Sequence, residues 1–526
     1  MSRAIFKSTS VVGITTLLSR VTGLLRDMVY SQTFGAGTLM DAFLVAFKIP
    51  NFLRRLFAEG AFSQSFVPVI SEYKIRREQA EVRELVSGVA GTLGGVLLIV
   101  TALGVIAAPL ILLLFAPGFT QEAGKYELAV EMLRWTFPYL FFVSLTALFS
   151  GVLNSYGRFA VPAFTQVVMN LVMIFFAIVI ATNADNPGVT LAIGVFVSGV
   201  MQVFFQLPSV ARLGLLSWPR WRPAAEGVRR IAKLMVPGIF GSSMAQVSLL
   251  LDTLIASFLV TGSIAWLYYA DRLMEFALGV FSIALATVIL PRLSSQHAAG
   301  DTARFSATLD WSLRLIFVVV TPATVGLLVL AGPITATIFG YGEFSDEDVR
   351  MTQYGLMAYS WGLIGFSLVK VLAPGYFARQ DTRTPVRVGL IALAVNMGFN
   401  LIVVLPAHFA GFAAPFVLLA TSTCLSAAVN SFLLWRGLRR EGVYRPSSGW
   451  SVLTMRVVIA NLAMALSLWA ISPSLAHWLA STPIDRAWQL TGCVVVGAAA
   501  YALALVVFGL RPAHLRQIIV PFEPVK

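Results

Sequence analysis

Residues Ala107–Phe115 read AAPLILLLF, and Ala331–Phe339 read AGPITATIF. Each has a proline after two small residues, then an apolar run closed by phenylalanine. Pro109 and Pro333 stand 224 residues apart, as do Phe115 and Phe339. Further out, Pro68 in FVPVIS pairs with Pro291 in ILPRLS at 223, and Pro162 in RFAVPAF pairs with Pro385 in TRTPVRV at 223. One matched proline means little. A near-constant offset over four anchors marks an internal duplication, a pattern common in transporters.

The segments between the anchors are apolar. The 526-residue chain is 58% hydrophobic and 12% charged, about half the charged share of an ordinary soluble domain. Its mean hydropathy is +0.82. A soluble fold of this length could not hide that much apolar surface, whereas a bilayer solvates it directly. Apolar runs predict about fourteen transmembrane helices, at 8–34, 38–66, 85–115, 128–154, 160–182, 187–210, 231–258, 264–290, 308–338, 352–377, 385–405, 410–435, 450–472 and 487–510. Arg20, Arg26 and Asp27 interrupt the first run, so it does not read as a removable signal peptide. Cys424 and Cys493 both sit in apolar runs and imply no disulfide framework.

The net charge of +13 points to topology and not to nucleic acid. Basic residues gather in alternate loops: Arg76, Arg77 and Arg83; Arg158; Arg212, Arg220, Arg222, Arg229 and Arg230; Arg292 and Arg304; Arg379 and Arg383; Arg436, Arg439, Arg440 and Arg445. By the positive-inside rule these face the cytoplasm, and so do both termini. Six helices per copy is an even number, so the copies are parallel, related by an axis along the membrane normal. The expected fold is an all-α polytopic membrane protein: two six-helix lobes, 1–222 and 223–445, around a central cavity. Residues 446–526 add helices 13 and 14 and a cytoplasmic tail. This is the geometry of an alternating-access transporter.

Ionisable groups at membrane depth are costly, which makes each a functional candidate. Helix 1 aligns Thr16, Ser19, Arg20, Gly23, Arg26 and Asp27 on one stripe, with an apolar face opposite. Helix 2 aligns Asp41, Lys48, Arg55 and Glu59, with Asn51 and Arg54 beside them and a kink expected at Pro50. Arg54, Arg55 and Glu59 also read as a cytoplasmic cap after a short helix. Helix 8 aligns Tyr268, Asp271, Arg272 and Glu275, which serve a ligand or pair internally. Lys370 in helix 10 stands alone. Five arginines at depth suit an anionic, phosphorylated ligand, because the guanidinium fork stays charged and binds phosphate oxygens in pairs. Asp252 in helix 7, with Asn396 and Asn400 in helix 11, offers the hard oxygen ligands of a sodium site; interhelical hydrogen bonding is the other reading. There is no Walker A loop and no HExxH, and the histidines do not cluster, so an ion gradient or the membrane potential remains as the energy source. A D-x-D pair, Asp346 and Asp348, would suit a nucleotide-sugar enzyme but sits in a short external loop.

Several stretches together resemble the MurJ/MviN lipid II flippases of the multidrug/oligosaccharidyl-lipid/polysaccharide exporter superfamily. They are SRVTGLLRD (Ser19–Asp27), FGAGTLMDAFLVAFKIPNFLRRLFAEGAFSQSFVPV (Phe34–Val69), YYADRLMEF (Tyr268–Phe276) and VKVLAPGYFARQDTRTPV (Val369–Val386). The resemblance covers nearly the whole chain. It implies a transporter, not an enzyme, in the bacterial inner membrane. The substrate would be lipid II, the polyprenyl-diphosphate-linked disaccharide-peptide of cell-wall synthesis. It implies headgroup contacts from Arg20, Arg26, Arg54, Arg55 and Arg272, with Asp27, Asp41 and Glu59 at matching acidic positions. Ser19, Lys48, Asn51, Asp271, Glu275 and Lys370 would support them. It also implies a groove for the polyprenyl tail on helices 13 and 14, and for some members a sodium site, here Asp252, Asn396, Asn400 and Thr421. Membrane lipids and cell-wall synthesis proteins are the other expected partners.

Overall fold

Proline sets the first landmark. In the computed structural model, which describes residues 3–55, 62–279 and 284–510 (side chains of 3–12, 64, 236–249 and 284–288 excepted), the expected span 85–115 is two helices. Helix α4 (Gln79–Ile106) stops at Ala107, and the eight-residue α5 (Ala108–Phe115) restarts with Pro109 in its first turn. Proline lacks an N–H and clashes with the preceding turn, so it is tolerated where a helix begins and not inside one. The second copy repeats this. Helix α13 (Thr302–Val329) has the same 28 residues as α4, breaks at Leu330, and is followed by the eight-residue α14 (Ala331–Ile338).

Other elements follow the same register. In the first copy these are α1 (Arg3–Phe34), α2 (Thr38–Arg54), α3 (Ser63–Arg76) and α8 (Ala160–Phe175). Their counterparts are α10 (Glu226–Ala256), α11 (Ser263–Leu278), α12 (Ala284–Ala298) and α16 (Arg383–Phe399). Both α8 and α16 run into a five-residue π-helical turn, Phe176–Ile180 and Asn400–Val404. Such turns are rare and recur at functional sites. Helices α6 (Lys125–Thr136) and α7 (Tyr139–Ser155), separated at Phe137–Pro138, answer to the continuous α15 (Asp346–Phe377). The remaining long helices are α9 (Pro187–Ala211), α18 (Pro415–Arg440), α19 (Trp450–Ile471) and α21 (Pro483–Val507); α17 (Leu405–Phe409) and α20 (Leu475–Ala480) are short.

Ten helices among the described residues are long and apolar enough to cross a membrane. The four expected spans outside that set are 8–34, 38–66, 231–258 and 264–290. All four carry charge, and α2 and α11 are only 17 and 16 residues long.

The chain forms two compact units, Met1–Ala265 and Trp266–Lys526. In the first, α1 packs on α8, α2 on α6, α7 on α9, and α10 on α3 and α4. Its core joins Phe66, Ile70, Leu85, Val89, Val152 and Val228. In the second, α15 packs on α18 and α13, and α19 lies against α13 and α21. The last pair is sparsely buried: Leu462, Leu466, Trp469, Val495 and Leu503 are exposed while Val457, Ala460, Met464 and Leu468 face inward. An apolar outward face is what a lipid-facing helix requires. Where α19 and α21 meet, Gly497 admits Leu468, whose Cδ2 would lie 2.9 Å from an added Cβ, the close approach that small residues allow in membranes.

Candidate functional site

Helix α1 is inside-out relative to a soluble helix. Ile14, Leu17, Val21 and Leu25 are exposed, while Thr22, Arg26 and Asp27 are buried. The Arg26 guanidinium donates from Nε (3.1 Å) and Nη2 (2.7 Å) to Asp27 Oδ1, and from Nη1 to Asn170 Oδ1 at 3.1 Å. It also lies 5.5 Å from the Tyr30 ring centroid. Asn170, in the middle of α8, uses its amide nitrogen on Thr22 Oγ1 (3.0 Å) and on the Ser19 carbonyl (3.1 Å). Arg26 and Asp27 are thus joined, and Asn170 latches them to α8. Ser19 and Arg20 are half-buried about two turns from Arg26. Asn170 escaped the sequence reading because one asparagine in an apolar helix has no pattern around it.

Asp41 anchors a second cluster. It is buried, with Oδ2 accepting from Lys125 Nζ (3.2 Å) and the Gly262 N–H (2.8 Å), and Oδ1 from the Ala265 N–H (2.9 Å). The last two cap the start of α11, where a carboxylate also complements the helix dipole. Lys125 extends the cluster to Glu122 Oε2 (3.0 Å) and Thr261 Oγ1 (3.1 Å), and Thr38 and Thr261 donate to Glu122. Burial alone would raise the Glu122 carboxyl, but hydrogen bonds from Thr261, Thr38 and Lys125 outweigh it and hold it below the usual carboxylate range. One signal for Lys125 was in the sequence: it is a lysine in one of the loops that alternate with the arginine-rich ones and are otherwise neutral or acidic.

At the C-terminal end of α2, Arg54 Nε donates to Asn51 Oδ1 at 2.7 Å. Lys48, Asn51 and Arg54 are half-buried and Arg55 is exposed. Glu59 lies outside the described residues. Arg54 lines a cavity of about 480 Å³ within the first unit, together with residues of α3, α7, α8 and α9. Asp252 is half-buried on α10.

In the second unit, Arg272 donates to Tyr268 Oη (3.0 Å) and Glu275 Oε2 (3.2 Å), so three members of the α11 stripe meet. Asp271 is half-buried beside them, and Lys370 is exposed on α15. Asn396 and Asn400 are buried and joined, Asn400 Nδ2 to Asn396 Oδ1 at 3.3 Å, and Asn396 Nδ2 reaches Ser422 Oγ at 3.1 Å. Thr421 is exposed and donates to its own helix at Val417. One residue is 100° on a helix, and that rotation gives the inner position to Ser422. Among the described residues no group of three His, Cys, Asp or Glu side chains could hold a metal ion. Asp348 completes a capping box with Ser345 and accepts from Trp266 Nε1 at 2.8 Å, so the D-x-D pair serves a helix start.

Two clamps in the second unit were not anticipated. Buried Arg486 of α21 donates to the carbonyls of Ala336 (2.9 Å), Gly340 (2.8 Å), Leu479 (2.7 Å) and Ser481 (3.1 Å). Asp310 of α13 accepts from Tyr444 Oη (2.8 Å), Trp450 Nε1 (2.7 Å) and Ser447 Oγ, and forms an ion pair with Arg314, whose Nε lies 2.9 Å from Oδ2. Together they pin both ends of the α19–α21 pair to the rest of the unit.

A family described as "Lipid II flippase MurJ" matches residues 30–485. The probable lipid II flippase MurJ of Haemophilus influenzae is 46% identical over 513 residues, covering 95% of this chain and 99% of that one. That of Vibrio cholerae is 45% identical over 525 residues, with 98% of each chain covered. The lipid II flippase MurJ of Burkholderia cenocepacia is 39% identical, with 98% and 99% covered. Among solved structures, lipid II flippase MurJ in an inward closed conformation superposes with a TM-score of 0.78 at 24% identity, over 94% of this chain and 98% of that one. An inward-facing multidrug resistance MATE family transporter of the MOP superfamily gives 0.64 at 14% identity, over 84% and 99%. These two speak for the fold. With a family match over most of its length and relatives at such identity, the chain belongs to the MurJ lipid II flippase family.

Proposed function

We propose that this chain moves lipid II from the cytoplasmic to the periplasmic leaflet of the bacterial inner membrane, by alternating access, in cell-wall biogenesis. The observation that carries the reading is family membership over nearly the full length, at up to 46% identity to a relative described as a probable lipid II flippase. The residues are consistent with it. Arginine recurs at depth, as Arg20 and Arg26 on α1, Arg54 and Arg55 at the end of α2, and Arg272 on α11, and a guanidinium suits a diphosphate that must leave water. Arg26 and Arg272 are already oriented by neighbouring oxygens, Asp27 and Asn170 for one, Tyr268 and Glu275 for the other. In this reading the anionic headgroup exchanges with those oxygens, and its charge screens the arginines from one another. Asp41, tied to Lys125 and the start of α11, acts as a positioning group. The copies 1–222 and 223–445 are the moving bodies, and 446–526 guides the polyprenyl tail. Both termini face the cytoplasm. The chain itself performs no bond-breaking step, and cell-wall synthesis proteins receive the product.

The membrane potential drives return of the empty cationic site; one charge crossing 100 mV is worth about 2.3 kcal/mol. Sodium is the alternative coupling ion, with the joined Asn396 and Asn400 as candidate oxygen donors and Ser422 supporting Asn396 in place of Thr421. The test is depletion and rescue in a peptidoglycan-making bacterium, reading lipid II exposed on the outer face. The chain should restore exposure, and Arg26→Ala and Arg272→Ala should abolish it with insertion intact. Normal exposure with either variant would sink the arginine assignment. Unchanged exposure on depletion, with falling total lipid II, would move the function upstream.

A further inference from the structure

The cavity beside Arg54 has a composition that diphosphate recognition alone does not explain. It measures about 480 Å³, within the range of about 300–1,000 Å³ typical of small-molecule sites. Arg54 is the only charged residue among its described lining residues. Amide and hydroxyl groups make up the rest of the polar wall, notably Thr146, Asn154, Gln166 and Gln202, while Phe159 supplies an aromatic face. Two of these groups are buried with an atom left over. Gln202 spends its amide nitrogen on the Thr165 carbonyl at 3.3 Å, but its Oε1 has no hydrogen-bond partner among the described residues, and neither does Thr146 Oγ1. Gln202 is 2% exposed and Thr146 6%. Buried polar atoms are rarely left unsatisfied without a reason, such as an absent water or ligand. The lining runs from the end of α2, the start of α3 and the first turns of α8 along α7 to Gln202 in the middle of α9, and it includes Asn154 and Phe159 on either side of Arg158.

We propose that this cavity is a subsite for an acylamino sugar joined to phosphate, with the phosphate toward Arg54. A pyranose ring has an apolar C–H face, which suits Phe159, and an edge of hydroxyls, which suits Asn154 and Gln166. An acylamino N–H supplies the donor that Gln202 Oε1 lacks. Among the described lining residues Arg54 carries the charge and there is no carboxylate, which suits an anionic ligand better than a cationic one. The inference rests on the transport reading and assigns part of its headgroup to one place.

The test compares binding of lipid II with binding of a polyprenyl diphosphate of equal chain length, which lacks the sugar, to the purified full chain in detergent. Wild type should bind lipid II the more tightly. Gln202→Leu should weaken lipid II by about tenfold, the loss of one buried hydrogen bond, and leave the polyprenyl diphosphate unchanged. Ala147→Leu, which fills the cavity from α7 without touching a hydrogen bond, should do the same and guards against misfolding of the first variant. Equal losses for both lipids, or none for either, would overturn the subsite. If wild type binds both lipids equally, the subsite falls and the transport reading stands; if it binds neither, both fall.

Discussion

The α1–α8 latch predicts an energetic coupling between Arg26 and Asn170. Asn170→Leu removes three hydrogen bonds at 3.0–3.1 Å: two from its amide nitrogen, to Thr22 and Ser19, and one accepted from Arg26. At about 0.6–1 kcal/mol each within a membrane, the single substitution should cost about 2–3 kcal/mol. Only the Arg26 contact is shared with Arg26→Leu. The double variant should therefore be less destabilised than the sum of the two, by about 0.6–1 kcal/mol, the worth of that one shared contact. The assay is reversible unfolding of the purified protein in mixed micelles for wild type, both singles and the double. A coupling below about 0.3 kcal/mol, the ordinary limit of additivity, would refute the latch as an energetic contact and leave it a matter of proximity.

The other cluster and the clamps give further expectations. Lys125→Met strands buried Asp41 without its ammonium; breaking such a pair costs about 3–5 kcal/mol, and the low end applies because Gly262 and Ala265 still donate. A melting curve in detergent reads it. Arg486→Leu leaves four carbonyls of α14 and the α20 region without their donor, at a cost of at least about 3 kcal/mol; Arg486→Lys should rescue only part, since an ammonium lacks the fork. Cysteine pairs across α14 and α21 should then cross-link more slowly. Glu122 has a folded pKa below its ordinary 4.5. Its contribution to stability is therefore complete above that value and is lost as pH falls through the lower folded value. Glu122→Gln should flatten the fall in melting temperature on acidification below about pH 4.5; an unchanged slope would exclude Glu122 as its source.

Much of the architecture was readable because membrane folds leave few options for the backbone. Length and apolarity marked the helices, and the repeated prolines marked the duplication, down to matched 28- and eight-residue helices. The one-residue breaks at Ala107 and Leu330 were hidden, since unbroken apolar composition does not report where a helix stops. The α1 stripe was legible by periodicity, and Arg26 and Asp27 are indeed buried on it. Their partner on α8 was not, because contacts between helices depend on rotation and register that a single sequence leaves open. The same reason separates Ser422 from Thr421. Arg486 was passed over as one charge near a helix start, although its five donors made backbone carbonyls an available set of acceptors.

The most direct test of the transport assignment is reconstitution of the purified chain into vesicles holding labelled lipid II, with a potassium-diffusion potential or a sodium gradient imposed. Lipid II should cross to the far leaflet faster than in protein-free vesicles, more so with the potential or gradient, and Arg272→Ala should remove the gain. Folded, inserted protein that leaves lipid II crossing at the protein-free rate under both driving forces would contradict it.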